Sequence, residues 1–190
     1  ADWFFNRLDE GYLMWRNPFN GKDSYVSMAH MRFVVFWTKN PQPLITYLPI
    51  LKDKGIGFYL QYTLNDYDAE QLEPGVPRLA DRIDTFKRIV DEYGLGSVVW
   101  RFDPLLLTDK ISPELLLHRI AAIAEQLKGY TEKLVFSFAD IAGYRSVARN
   151  LRAAGINYRE WETEDMLTFA RRLADMRFPF QLATCAEAIH

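Results

Sequence analysis

Residues 97–104 read SVVWRFDP. Val98, Val99 and Trp100 give the stretch β-branched and aromatic character, which predicts a buried strand. The strand finishes on an arginine and an aspartate two positions apart, and side chains two apart on a strand share a face. If Val98, Trp100 and Phe102 pack beneath helices, Arg101 and Asp103 must look together to the opposite side. Two opposite charges aimed at one place either line a pocket or neutralise each other as a structural ion pair. For this pair alone both readings stand open.

Five further apolar runs have strand character: GYLMWR near 11–16, RFVVFWT at 32–38, IGFYLQYTL at 56–64, KLVFSFAD at 133–140 and FQLATCAE at 180–187. Several are apolar at consecutive positions, as strands covered on both faces are. Helical periods lie between most of them. Leu79, Ile83, Phe86, Val90 and Tyr93 fall on one stripe, and Gly94 ends it. Ser112 and Pro113 open a second helix that runs towards Gly129. A third covers about 146–155, a fourth starts at Thr163 as cap, and a weaker one at 42–54 is interrupted by Pro43 and Pro49.

Alternation of this kind requires crossovers and therefore a parallel sheet, either doubly wound or closed into a barrel. No Gly-rich phosphate loop follows any strand, which tells against dinucleotide binding. A complete eight-unit barrel takes about 250 residues. With 190 residues, the expectation is one α/β domain over residues 1–190, an incomplete parallel (βα) barrel of five or six units, TIM-barrel-like.

Composition narrows the function classes. With 23 Lys and Arg against 25 Asp and Glu, the chain has no global basic field for a nucleic acid backbone or an anionic membrane. No apolar stretch nears the roughly 20 residues of a membrane span, and nothing has the form of a signal segment, so a cytoplasmic location is expected. Cys185 is the single cysteine, which excludes an internal disulfide and any iron–sulfur or zinc site of several thiolates within this chain. Its place in a strand reads as an inert buried thiol, with no histidine nearby to activate it. His30 and His118 lack a metal-ligand partner at helical spacing. No metal ligands are assigned.

In a parallel barrel the carboxyl ends of the strands meet on one rim, where sites are built. Those ends carry Arg16 and Asn17; Thr38, Lys39 and Asn40; Gln61, Thr63 and Asn65; Arg101 and Asp103; Ser137 and Asp140; and Thr184, Cys185 and Glu187. Strand ends also need polar groups to enter loops. Even so, the set as a whole reads as a pocket for a small molecule. Asp103 and Glu187 offer carboxylates for acid and base work. Lys39 is either an anchor for a phosphate or carboxylate or an ordinary solvated lysine. Trp37, next to these groups, is placed either to stack on a ring or to fill the core.

Several segments together, WFFNRLDEGYLMWRNPFN, VVFWTKNPQP, YLQYTLNDY, VVWRFDPLLLTDK, VFSFAD and TCAEAI, resemble in order a bacterial family of uncharacterised proteins, the domain of unknown function family eighteen forty-eight. The resemblance covers nearly the whole chain. It implies kinship with radical S-adenosylmethionine enzymes, a (βα) barrel, and a [4Fe–4S] cluster on cysteines near the carboxyl end of a full-length form. It also implies a first strand ahead of the opening helix; the chain begins at ADWFFNRL without an initiator Met and reads as a fragment or processed form. Arg16, Asn17, Thr38, Lys39, Asn40, Gln61, Thr63, Arg101, Asp103, Asp140 and Glu187 would surround the central mouth. There they would hold S-adenosylmethionine and a substrate, the cofactor carrying the radical chemistry.

Three functions follow as expectations. The first is a radical S-adenosylmethionine-like enzyme core whose cluster lies outside this chain. The second is a cluster-free hydrolase or lyase acting on a small polar substrate through Asp103, Glu187 and Lys39. The third is a noncatalytic barrel that binds a ligand or a nucleic acid.

Overall fold

The computed structural model describes residues 1–185 and divides into two compact units. The first comprises Ala1–Phe36 and Pro41–Tyr59, the second Trp37–Asn40 and everything from Leu60 onward. Two strands, β3 and β4, contribute residues to both.

The first unit opens with helix α1 (Asp2–Glu10), which ends at Gly11 in the left-handed conformation. The Gly11 N–H reaches the Arg7 and Leu8 carbonyls, a closure that a residue with a Cβ adopts only with strain. Strands β1 (Tyr12–Arg16) and β2 (Asp23–Ser27) pair antiparallel as an isolated hairpin. Strand β3 (Phe33–Thr38) is followed by two short helices, α2 (Gln42–Ile45) and α3 (Leu48–Asp53), and then by β4 (Gly57–Thr63). The weak helical pattern at 42–54 is therefore split. Phe5 stacks on Tyr47 with centroids 4.7 Å apart, and the Tyr47 hydroxyl donates to Asp2 at 2.6 Å, which fixes α1 on the α2–α3 connection.

The second unit continues with helix α4 (Leu79–Tyr93), strand β5 (Val98–Leu105), the short strand β6 (Leu107–Thr108) and helix α5 (Pro113–Gln126). Strand β7 (Lys133–Phe138), helix α6 (Arg145–Ala153), the short strand β8 (Tyr158–Arg159), helix α7 (Thr163–Asp175) and strand β9 (Gln181–Thr184) complete it. Helix α5 starts as its sequence dictates, with Ser112 accepting the Leu115 N–H at 3.2 Å and Pro113 in the first turn. Helix α7 does not: Glu162, not Thr163, occupies the cap position, and no side chain closes it. None of the helices among the described residues is long and apolar enough to cross a membrane.

Five strands form the main sheet in the order β3-β4-β5-β7-β9, and β6 pairs with β8 in a small antiparallel ribbon. The pairs β4–β5, β5–β7 and β7–β9 are parallel. The expectation of a (βα) barrel is overturned, because the sheet is open, with β3 and β9 as its two edges. Alternation of strands and helices dictates parallel crossovers but says nothing about closure, which needs a common tilt and stagger around a ring of about eight strands. The run GYLMWR, counted from sequence as a sheet strand, is spent in the separate hairpin.

The two faces of the sheet differ as strand parity requires. Leu60, Tyr62, Val98, Trp100, Phe102, Leu134 and Phe136 are buried on one face beneath the helices. Tyr62 lies against Phe86 of α4, and Phe138 and Trp161 meet Phe169 of α7 edge to face. Fully burying each of these side chains contributes about 1.5–3 kcal/mol relative to exposure. Gln61, Thr63, Arg101, Val135 and Ala183 alternate with them and look the other way, Thr63, Arg101, Val135 and Ala183 in one row across β4, β5, β7 and β9.

Candidate functional site

The site develops where β5 loses its regular register. Between Phe102 and Leu105 the pairing with β7 shifts, and the Asp103–Pro104 peptide is cis. The shift presents Asp103 and Pro104 together at the carboxyl end of the strand instead of alternating them across the sheet. Tyr67 holds this segment: its hydroxyl donates to the Pro104 carbonyl at 2.8 Å and accepts the Leu106 N–H at 3.0 Å. Burial pushes the Tyr67 phenol well above its ordinary range, so it is neutral and keeps both bonds.

Arg101 organises the neighbouring side chains. It is 3% exposed, and its Nε and Nη2 donate to Asp103 Oδ2 at 3.1 and 2.6 Å. Its Nη1 donates to Gln61 Oε1, and its guanidinium lies over the Trp37 ring, 4.2 Å from the centroid. Burial by itself would lower the guanidinium pKa; hydrogen bonding to Cys185 and Asp103 more than reverses that, and the net shift is upward. The Ser137 hydroxyl donates to Asp103 Oδ1. Both carboxylate oxygens of Asp103 are thus engaged, one by Arg101 and one by Ser137. Trp37 Nε1 donates to Thr63 Oγ1 at 3.4 Å, which orients the indole.

This network borders a cleft of about 600 Å³, lined by Trp37, Asp103, Pro104, Ser137, Asp140 and Cys185 together with Leu106, Phe138, Ala139, Ile141, Tyr144 and Val147. That volume suits a small organic molecule. Two further hollows, of about 710 Å³ in the 66–78 loop and about 480 Å³ beside β6, include Glu73 and Glu70, whose carboxylates are committed to Lys39 and Arg119.

The residues expected at a common mouth have different fates. Gln61, Thr63, Arg101, Asp103 and Ser137 are joined with Trp37 in one bonded group, and Asp140 lies on the cleft wall. Lys39 is bound to Glu73, whose Oε1 also accepts Asn65 Nδ2 at 3.3 Å; it serves as a tie to the 66–78 loop. Thr38 Oγ1 accepts the Asn40 N–H at 3.0 Å and closes the turn after β3. Arg16 pairs with Asp23 across the hairpin at 2.7 Å, and Asn17 Oδ1 accepts the Phe19 N–H in its turn. Glu187 lies outside the described residues.

Tyr67, Pro104, Leu106, Tyr144 and Val147 did not stand out in the sequence. The IAGYRSV segment after β7 gives only a turn signal in Gly143, whose N–H donates to Asp140 Oδ1 at 2.9 Å. Two buried arginines also support the region from below. Arg82, 1% exposed, donates to the Asn65 carbonyl at 2.9 Å, and Arg119 makes a two-pronged bond to Glu70 at 2.7 and 3.1 Å.

Residues 1–190 do not by themselves supply the donors of the [4Fe–4S] cluster that the resemblance implies for a full-length form. A [4Fe–4S] cluster needs three or four thiolates, and the sequence contains one cysteine. Among the described residues no group of three His, Cys, Asp or Glu side chains converges to hold a metal ion.

No curated protein matches the chain. A family model does, across residues 1–190, and its description is Domain of unknown function (DUF1848). The chain belongs to that family.

Proposed function

We propose that the chain binds a small organic molecule in the cleft at the carboxyl ends of β5, β7 and β9, with its polar end oriented by Asp103 and Ser137. The observation that supports this most directly is the junction at Asp103. A buried arginine, itself held by Gln61, and a serine fix one carboxylate at the wall of a cleft of about 600 Å³ whose lining is mostly aromatic and aliphatic. Convergent polar groups in a mainly apolar hollow are the general form of a ligand site.

The same junction weakens the hydrolase or lyase reading. Three of the four lone-pair positions of the Asp103 carboxylate are taken by Arg101 and Ser137, which leaves one on Oδ1 for a ligand, and Lys39 is bound to Glu73. Nucleic acid binding draws no support from the cleft either, since no Lys, Arg or His lines it among the described residues. The resemblance contributes one specific candidate, S-adenosylmethionine, as a ligand.

A ligand-observed NMR screen of metabolite mixtures containing S-adenosylmethionine tests the reading. Binders are expected with the wild-type chain and should be lost in Val147→Trp, which fills the cleft from a position that is 42% exposed and tolerates the change. Binders that Val147→Trp retains would lie elsewhere and would end the proposal.

A further inference from the structure

We infer that the molecule taken by this cleft is an organic cation: an ammonium or another positively charged group carried on a flat apolar body. The inference rests on reading the cleft as a ligand site and adds the charge of what fills it.

Among the described residues the lining contains two carboxylates, Asp103 and Asp140, and no lysine, arginine or histidine. Their situations differ. Asp103 is neutralised by Arg101, which reaches it from within the sheet. Asp140 is exposed and has no cationic side chain within ion-pair distance among the described residues, so its charge faces the cleft uncompensated. An anionic ligand would meet that carboxylate with no cation among the described lining residues to offset it. A cation would gain.

Aromatic surface points the same way. Tyr144 and Trp37 are 65% and 62% exposed and both line the cleft. One face of Trp37 already carries a guanidinium at 4.2 Å, while Tyr144 has an open ring. An electron-rich ring beside a carboxylate is the combination that recognises ammonium groups. Apart from Arg101, whose charge is met by Asp103, the start of α6 is the feature nearby that would favour an anion. Its amides are partly committed: the Val147 and Ala148 N–H groups go to the Tyr144 carbonyl and that of Gly143 goes to Asp140.

The test uses three molecules with one body and three charges: tryptamine, tryptophol and indole-3-acetate. Each is titrated into the isotope-labelled chain, and amide shifts of Ser137, Asp140 and Tyr144 are followed. Tryptamine is expected to bind about tenfold more tightly than indole-3-acetate, from one carboxylate contact and one ring contact at a half-exposed site. Asp140→Asn should narrow that gap, and retained tryptophol binding to the variant reports that the cleft is intact. Equal affinity for all three, preference for the acetate, or a preference that survives Asp140→Asn would each overturn the inference and leave ligand binding standing. Silence of these amides with all three molecules would remove the ligand site and the inference with it.

Discussion

At the scale of single residues, the arrangement around Arg101 makes a stability prediction with a definite sign. Its guanidinium is buried and its charge is met by Asp103. Removing the carboxylate alone leaves a positive charge in the interior, so Asp103→Ala is expected to lower the free energy of unfolding by about 3 kcal/mol. The double variant Arg101→Met with Asp103→Leu should recover most of that loss, because neither charge then has to be desolvated. Urea denaturation of the three proteins checks both statements; a double variant as weak as the single one would contradict them. Tyr67 supplies a second prediction. Tyr67→Phe deletes an acceptor for the buried Leu106 N–H and should cost about 1–3 kcal/mol.

The phenols also set the behaviour in alkali. Burial raises the pKa of Tyr67 and of Tyr62, the latter against a smaller opposing pull from Arg82. Both therefore remain protonated in the folded chain after they would ionise in the unfolded one. The stability they contribute is fully present below pH about 10, the ordinary tyrosine value, and is lost progressively above it. Unfolding monitored from pH 8 to 11 should be flat at first and then decline, with the decline reduced in Tyr67→Phe.

Much at this scale was legible beforehand. A period of two puts Arg101 and Asp103 on the face of β5 opposite Val98, Trp100 and Phe102, and Ser137 on the corresponding face of β7. Arg82 stands three residues after Leu79 and four before Phe86, on the stripe that faces the core, a place that the apolar pattern alone does not flag for an arginine. Nor was the place of Lys39 legible: its partner Glu73 comes from an aperiodic loop, and no sequence spacing announces a contact of that kind.

At the scale of elements, each helix shows how far its end signals reach. Ser112 and Pro113 start α5, and Ser112→Ala is expected to cost about 1 kcal/mol by freeing the Leu115 N–H, measurable by thermal unfolding. Thr163 has the right chemistry for a cap yet sits one position inside α7, since the chain enters that helix with Glu162 extended. Strand β2 escaped notice because DSYVS has no alternation of apolar and polar residues, and all five of its side chains are exposed. A two-stranded ribbon of that kind is marginal without cover. Hydrogen exchange should therefore release the amides of β1 and β2 well before those of β5 and β7; equal protection would mean that the hairpin is held by something else.

At the scale of the whole molecule, the sequence settled the class of the sheet and misjudged its closure. Apolar runs joined by helical stretches specify parallel pairing, and the structure has it across β4, β5, β7 and β9. Closure depends on strand number and stagger, which no local pattern encodes. What the open sheet retains is that its strands lie side by side in the order in which they occur along the chain. No strand has to be inserted between two neighbours that are already paired. Each new strand and its preceding helix can dock on the growing edge as it leaves the ribosome, so assembly runs from the amino end by accretion and demands only loop closures of modest length.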